Sequence, residues 1–188
     1  DEAKLHDFID EDNIDDDNDI RLHDGTGTHY GMKYGLAALD PSSRDDFRYL
    51  ANQPESLVPP EFAERPLDWD APGSRKFIVL MTDGKITNQH RPKDIYEPDH
   101  MFEHLQGSER KRVTRKSDNV SNFYSICDQA KQRDVVVYTI AFETDPTGRR
   151  EMRNCATSPS HFFPASGTDI EEVFSTIALN ITQLRLVQ

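Results

Sequence analysis

Two nearly uninterrupted apolar runs, Phe77-Ile78-Val79-Leu80-Met81 and Val135-Val136-Val137-Tyr138-Thr139-Ile140-Ala141-Phe142, constrain this chain more than any other feature. A strand with no polar alternation has no face to give to water, so it must be covered on both sides, as in a parallel sheet. Between the runs, Val120, Phe123, Ile126, Cys127 and Ala130 recur at 3- and 4-residue spacing. That spacing predicts an amphipathic helix over 120–132. Strand, helix, strand in this order is a βαβ unit with a right-handed crossover. The chain therefore reads as α/β. Neither run is long enough to span a bilayer.

The flanking sequence supplies the other elements. Met32, Leu36 and Leu39 give a helix over Tyr30–Leu39, ended by Asp40-Pro41. Residues 41–72 hold six of the eleven prolines and read as an irregular connection anchored by Trp69 and Phe62. Residues 85–118 read as a charged insertion with a short helix near Asp99–Leu105. Asp145-Pro146-Thr147-Gly148 reads as a turn, 149–155 as a short helix and His161-Phe162-Phe163 as a short strand. Asp169 caps a last helix from Ile170, with Val173, Phe174, Ile177, Ile181 and Leu184 as its apolar stripe.

Charge is placed unevenly. The net charge is -12 over 188 residues, yet residues 1–24 hold eleven acids against Lys4 and Arg21. This leader reads as a solvated, mobile tail, and 25–188 as one near-neutral domain. A basic nucleic-acid footprint is excluded by that balance. Asp15-Asp16-Asp17-Asn18-Asp19 looks like the start of a calcium loop, but Ile20 stands where Gly is needed and Thr26 where Glu is needed. The basic cluster Arg110-Lys111-Arg112 with Arg115-Lys116 reads as a solvated loop that could pair with the leader. No signal peptide or initiator Met is present, so the chain reads as a fragment or processed product.

Few residues invite a chemical reading. Asp83 directly follows a buried strand, where open parallel sheets place their ligands. It is either a hard-cation ligand or a turn residue. Thr26, in Gly25-Thr26-Gly27-Thr28, is on its own an N-cap or turn residue. His100 and His104 are four apart but lie in His-Met-Phe-Glu-His, which is not a zinc-protease motif. Ser125, Ser158 and Ser160 lack a nucleophile-elbow context. Cys127 and Cys155 are equally open to pairing or to staying reduced, and neither has a zinc-ligand spacing.

Together these pieces resemble the second half of a von Willebrand factor type A domain. They are most similar to the C-terminal region of TadG-like proteins of bacterial tight-adherence (Flp) pilus systems. The resemblance rests on the stretch from Gly25 to Gly35 with Leu39-Asp40-Pro41, on Leu80-Met81-Thr82-Asp83-Gly84, and on Ile126-Cys127. It continues through Val137–Phe142, Asn154-Cys155-Ala156-Thr157-Ser158-Pro159-Ser160-His161-Phe162-Phe163 and Ile181–Leu186.

The resemblance implies a Rossmann-like, three-layer sheet with helices on both faces. It implies a metal-ion-dependent adhesion site with Thr26 and Asp83 as Mg²⁺ ligands and Thr28 and Gly84 on the binding rim. The family's Asp-x-Ser-x-Ser loop and first strand are not found here; the nearest string, Asp40-Pro41-Ser42-Ser43-Arg44, fails. The sheet is therefore expected to be incomplete and Mg²⁺ binding by this chain weak or absent. The implied role is a non-enzymatic interaction module outside the cytoplasmic membrane, tethered in the full-length protein through an N-terminal anchor. Its partner would be another pilus or cell-surface protein, or an upstream fragment of the same protein. An oxidising compartment would let Cys127 and Cys155 bond, contributing roughly 3 kcal/mol. The rival readings are a metal-dependent hydrolase using Asp83 with His100 or His104, and a structural domain with a non-functional metal site.

Overall fold

The computed structural model describes residues 26–55, 58–97 and 107–186. The acidic leader, the expected helix over Asp99–Leu105 and both His100 and His104 lie outside them. Among the described residues the α-helices are α1 (Thr28–Ala38), α2 (Arg44–Ala51), α3 (Lys116–Gln132), α4 (Pro146–Cys155) and α5 (Asp169–Leu186). The strands are β1 (Phe77–Thr82), β2 (Gln89–Pro92), β3 (Arg110–Thr114), β4 (Val136–Phe142) and β5 (Phe162–Ala165).

The two apolar runs pair as the βαβ reading requires. β1 and β4 are parallel, from Phe77 opposite Val136 to Thr82 opposite Ala141. β5 joins the far side of β4, also parallel, giving the order β1-β4-β5. The pleat sends alternate residues to opposite faces. Ile78, Val137 and Ala141 face a core that holds Met32 of α1, Phe123 and Ala130 of α3 and Met152 of α4. Tyr138, Ile140 and Ala165 face the other way, onto Val173 and Ile177 of α5. The expected α/β fold, a parallel sheet between helical layers, is present.

Cys127 and Cys155 are bonded, with sulfurs 2.07 Å apart, and fasten α3 to α4. Both are fully buried.

Several expectations need correction. Among the described residues β1 is not covered on both faces: Val79 and Met81 remain 41% and 45% exposed, while the α5 side of the sheet packs on Tyr138, Ile140 and Ala165 and reaches β1 only at the partly buried Phe77. Residues 41–72 are not wholly irregular, since α2 forms there. It buries no residue and is held by polar contacts, Arg44 to Asp68 (2.7 Å) and Arg48 to Glu64 (2.8 Å), so no apolar stripe announces it. Trp69 does anchor this stretch, with Lys76 Nζ 3.8 Å above its ring, whereas Phe62 is 48% exposed. The 85–118 stretch contains an antiparallel ribbon of β2 and β3 rather than a loop alone. Arg110-Lys111-Arg112 belongs to β3, and Lys116 opens α3. Asp145–Gly148 is not a free turn but the start of α4. Phe174 points away from the α5 stripe and is 47% exposed.

Candidate metal rim at the carboxyl end of the sheet

Thr82 ends β1, and Asp83 follows it into the loop at the carboxyl edge of the sheet. The loop is pinned at nearly every residue. Thr82 Oγ1 donates to Gly84 O (3.1 Å) and accepts from the Gly84 N–H (3.3 Å). Lys85 Nζ pairs with Asp145 Oδ2 at 2.8 Å. The Ile86 N–H donates to the buried Glu151 Oε2 at 2.8 Å. The Thr87 N–H donates to Thr26 O (3.2 Å), and the Thr26 N–H donates back to Thr87 Oγ1 (2.8 Å). Gln89 Nε2 adds a second bond to Thr26 O, at 3.1 Å.

This stitching brings together the residues singled out in the sequence. A Cβ on Gly84 would lie 2.5 Å from Thr26 Oγ1, so glycine is required for the two loops to meet this closely. Thr28, buried in the first turn of α1, donates its hydroxyl toward Thr82 Oγ1 at 3.5 Å. Asp83 is exposed beside them. The rim therefore presents one carboxylate and a set of threonine hydroxyls at the carboxyl edge of a parallel sheet.

The fit to a divalent cation is partial. Among the described residues, no group of three or more His, Cys, Asp or Glu side chains could hold a metal. Asp83 and Thr26 are hard oxygen donors, but two of them do not make an octahedral Mg²⁺ shell.

Sequence reasoning missed the residues that build the rim from behind: Thr87, Gln89, Asn119 and Glu151. Glu151 was the most accessible of these. It falls with Gly148, Met152 and Cys155 at 3-, 1- and 3-residue steps, on the buried face of α4. A carboxylate on such a face needs a donor, and the Ile86 N–H supplies it.

Asp145 caps α4 through Oδ1, which accepts from the Thr147 N–H (2.8 Å) and the Gly148 N–H (2.9 Å). Its bond from Lys85 and these backbone donors pull its pKa from 3.8 to about 2. The folded-state value is depressed, so the stabilisation is present above the unfolded-state pKa. It is lost as pH falls from about 4 towards 2. Thermal melts across that window should show a steeper loss for the wild type than for Asp145→Asn. Parallel curves would refute the assignment.

The other chemical candidates do not assemble. Ser158 Oγ lies 2.7 Å from His161 Nδ1 and 2.8 Å from Ser160 Oγ, while the His161 ring packs on Tyr138 at 4.7 Å. These contacts close the turn ahead of β5. Ser125, exposed on α3, accepts from Gln129 Nε2 at 3.4 Å.

No protein-family model matches this chain. No curated protein matches it either. Among solved structures, it is similar to the vWF domain of the type V pili tip protein Mfa5 from Porphyromonas gingivalis. The identity is 15% and the TM-score 0.45, over 84% of this chain and 68% of that one. It is also similar to the pilus adhesin SpaC from Lactobacillus rhamnosus GG, with 18% identity and a TM-score of 0.46, over 84% of this chain and 19% of that one.

Proposed function

We propose that this chain is a non-enzymatic interaction module of a pilus or adhesion system, which engages a protein partner at the rim formed by Thr26, Thr28, Asp83 and Gly84. One observation carries this reading: the Thr26 and Asp83 loops, far apart in sequence, are pressed together through Gly84 at the carboxyl edge of the sheet. Among the described residues β1 is an end strand of its sheet, and its Val79 and Met81 are exposed. A partner that docks on the rim could cover both. It would be another pilus or cell-surface protein, or a further piece of the same protein carrying the missing carboxylate-and-serine loop.

In an intact site Asp83 and Thr26 would hold Mg²⁺, which would supply a positive centre for a partner's carboxylate. Among the described residues of this chain the shell is short of ligands. Stabilisation by a ligand grows as RT ln(1 + [L]/Kd), so a weak site gives almost nothing. Millimolar Mg²⁺ should leave the melting temperature of this chain unchanged. A rise of several degrees would show a complete site.

The buried Cys127–Cys155 bond supports an oxidising compartment outside the cytoplasm. No described helix is long and apolar enough to cross a membrane. The test of the function is capture of surface proteins on immobilised chain, wild type against Asp83→Ala and Thr26→Ala. Partners lost from both variants support the reading. Identical capture by all three, or ester, phosphate or peptide hydrolysis abolished by Asp83→Ala, would overturn it.

A further inference from the structure

β2 and β3 form a ribbon with no buried residue in either strand. His90, Arg91, Lys111, Arg112 and Val113 are all exposed on it. Residues 89–93 and 110–116 together hold seven Lys/Arg and no Asp or Glu. The register sharpens this concentration of charge. It sets Arg91 directly opposite Lys111, and His90 opposite Arg112. Like charges facing each other across a ribbon are destabilising, and a two-stranded ribbon by itself is marginal in water. Among the described residues Arg91, Lys111, Arg112 and Arg115 make no ion pair. The foot of the ribbon is nevertheless fixed to α3. The Lys116 N–H donates to Asn88 Oδ1 (2.8 Å), and Asn119 Nδ2 donates to Thr87 O (2.8 Å).

Such a surface suits an extended acidic occupant, and the same chain carries one. Residues 1–24 hold eleven acids against Lys4 and Arg21. That segment joins the described structure at the foot of the ribbon. The Thr26 N–H donates to Thr87 Oγ1 (2.8 Å), and Thr26 O accepts from Nε2 of Gln89 (3.1 Å), the first residue of β2. Asp19 stands seven positions before Thr26 and Asp15 eleven. An extended chain covers at most about 3.5 Å per residue, so even Asp19 can lie about 24 Å from Thr26. β3 has five residues, a length of about 17 Å. The Asp15-Asp16-Asp17-Asn18-Asp19 run can therefore reach any point of the ribbon. Ile14 and Ile20 flank that run, and Val113 offers them an apolar contact, being 53% exposed. A short tether raises the local concentration of the segment to the millimolar range. An outside polyanion would have to approach a chain of net charge -12 and compete with those tethered acids.

We infer that residues 1–24 dock on the β2–β3 ribbon of their own chain, with the Asp15–Asp19 run against Arg91, Lys111 and Arg112. This docking is independent of the function proposed for the rim. It bears on the rim all the same, because the docked segment leads directly into Thr26.

The test is a spin label on the full chain, attached at Asn13→Cys. The two native cysteines are bonded and fully buried, so they do not take the label. Paramagnetic broadening of the Arg91 and Lys111 amides then reports how closely the segment lies. The tether alone brings the label towards Thr26, so the reference is Arg91→Glu/Lys111→Glu. Those changes fall on exposed side chains and leave the tether as it is. The reference should lose at least about half of the broadening. The parent should lose as much when salt rises from about 0.1 to about 1 M, which shortens the Debye length from about 10 to about 3 Å. Adding Asp15→Lys/Asp16→Lys/Asp17→Lys to the reference should restore the broadening. Equal broadening in parent and reference, or no recovery in the charge-swapped chain, would overturn the proposal. So would the same broadening between chains, read by mixing isotope-labelled chain that has no spin label with spin-labelled chain that has no isotope, because the occupant would then be a second copy.

Discussion

Reducing the Cys127–Cys155 bond lowers the melting temperature of this protein by roughly 10 °C. The sequence separation is 28 residues. Opening a loop of that size returns about 3–4 kcal/mol of chain entropy to the unfolded state. Each kcal/mol corresponds to roughly 2–4 °C for a chain of this size. The bond also sits where its loss spreads furthest. It joins α3 to α4, and both helices pack on the same face of the sheet. α4 carries Glu151, which holds the loop after β1. Because both sulfurs are fully buried, reduction should be slow in the folded state and fast in mild denaturant. The measurement is a pair of melts, oxidised and reduced-and-alkylated, with Cys127→Ala/Cys155→Ala as the control for alkylation. Equal melting temperatures for the oxidised protein and the double variant would show that the bridge contributes nothing.

The parts of this architecture that were legible in the sequence are those that depend on continuous apolar patterning. The runs 77–81 and 135–142 read as neighbouring strands of one parallel sheet, and the spacing from Val120 to Ala130 as a helix lying over them. Pairing of β1 with β4 follows from these three segments. What stayed hidden depends on polar contacts between distant segments. α2 has no buried face, so its helix rests on Arg44 and Arg48 reaching residues 16 to 24 positions away. The exposure of Val79 and Met81 was hidden for a related reason: a run of apolar residues reports that a strand can be buried, not that a helix is present to cover it.

The site divides in the same way. Asp83 was visible because it follows a buried run, and Thr26 because it sits among glycines before a helix. Their meeting was visible only through a family resemblance, since 57 positions separate them and Gly84 and Thr87 make the contact. The disulfide was open in either direction from the sequence. The structure settles it by placing Cα127 and Cα155 5.2 Å apart on adjoining helices.

Gly148→Ala is the substitution expected to disturb the rim from furthest away. Gly148 lies in the first turn of α4, against Thr144. A Cβ there would overlap the Thr144 hydroxyl and sit 3.2 Å from both Thr144 Cβ and Cγ2. Thr144 is 4% exposed, so its side chain has no open space to turn into. Overpacking of this kind costs about 1–3 kcal/mol. Replacing a helical glycine gains at most about 1 kcal/mol in return, so the net change is destabilising by about 1–2 kcal/mol. The disturbance should travel along α4. Moving its first turn loosens the Asp145 cap and the Glu151 bond to the Ile86 N–H, and with them the Asp83 loop. Hydrogen exchange at the Ile86 amide should therefore accelerate, although Ile86 is far from residue 148 in sequence. Thr144→Ala supplies the control. It removes the clashing hydroxyl and methyl, and the hydroxyl it removes has no partner among the described residues. In the double variant at least about 1 kcal/mol of the loss should be recovered, a coupling of the size seen for residues in direct contact. A Gly148→Ala protein as stable as wild type, or additive effects in the double variant, would mean that α4 is not pressed onto Thr144 as described.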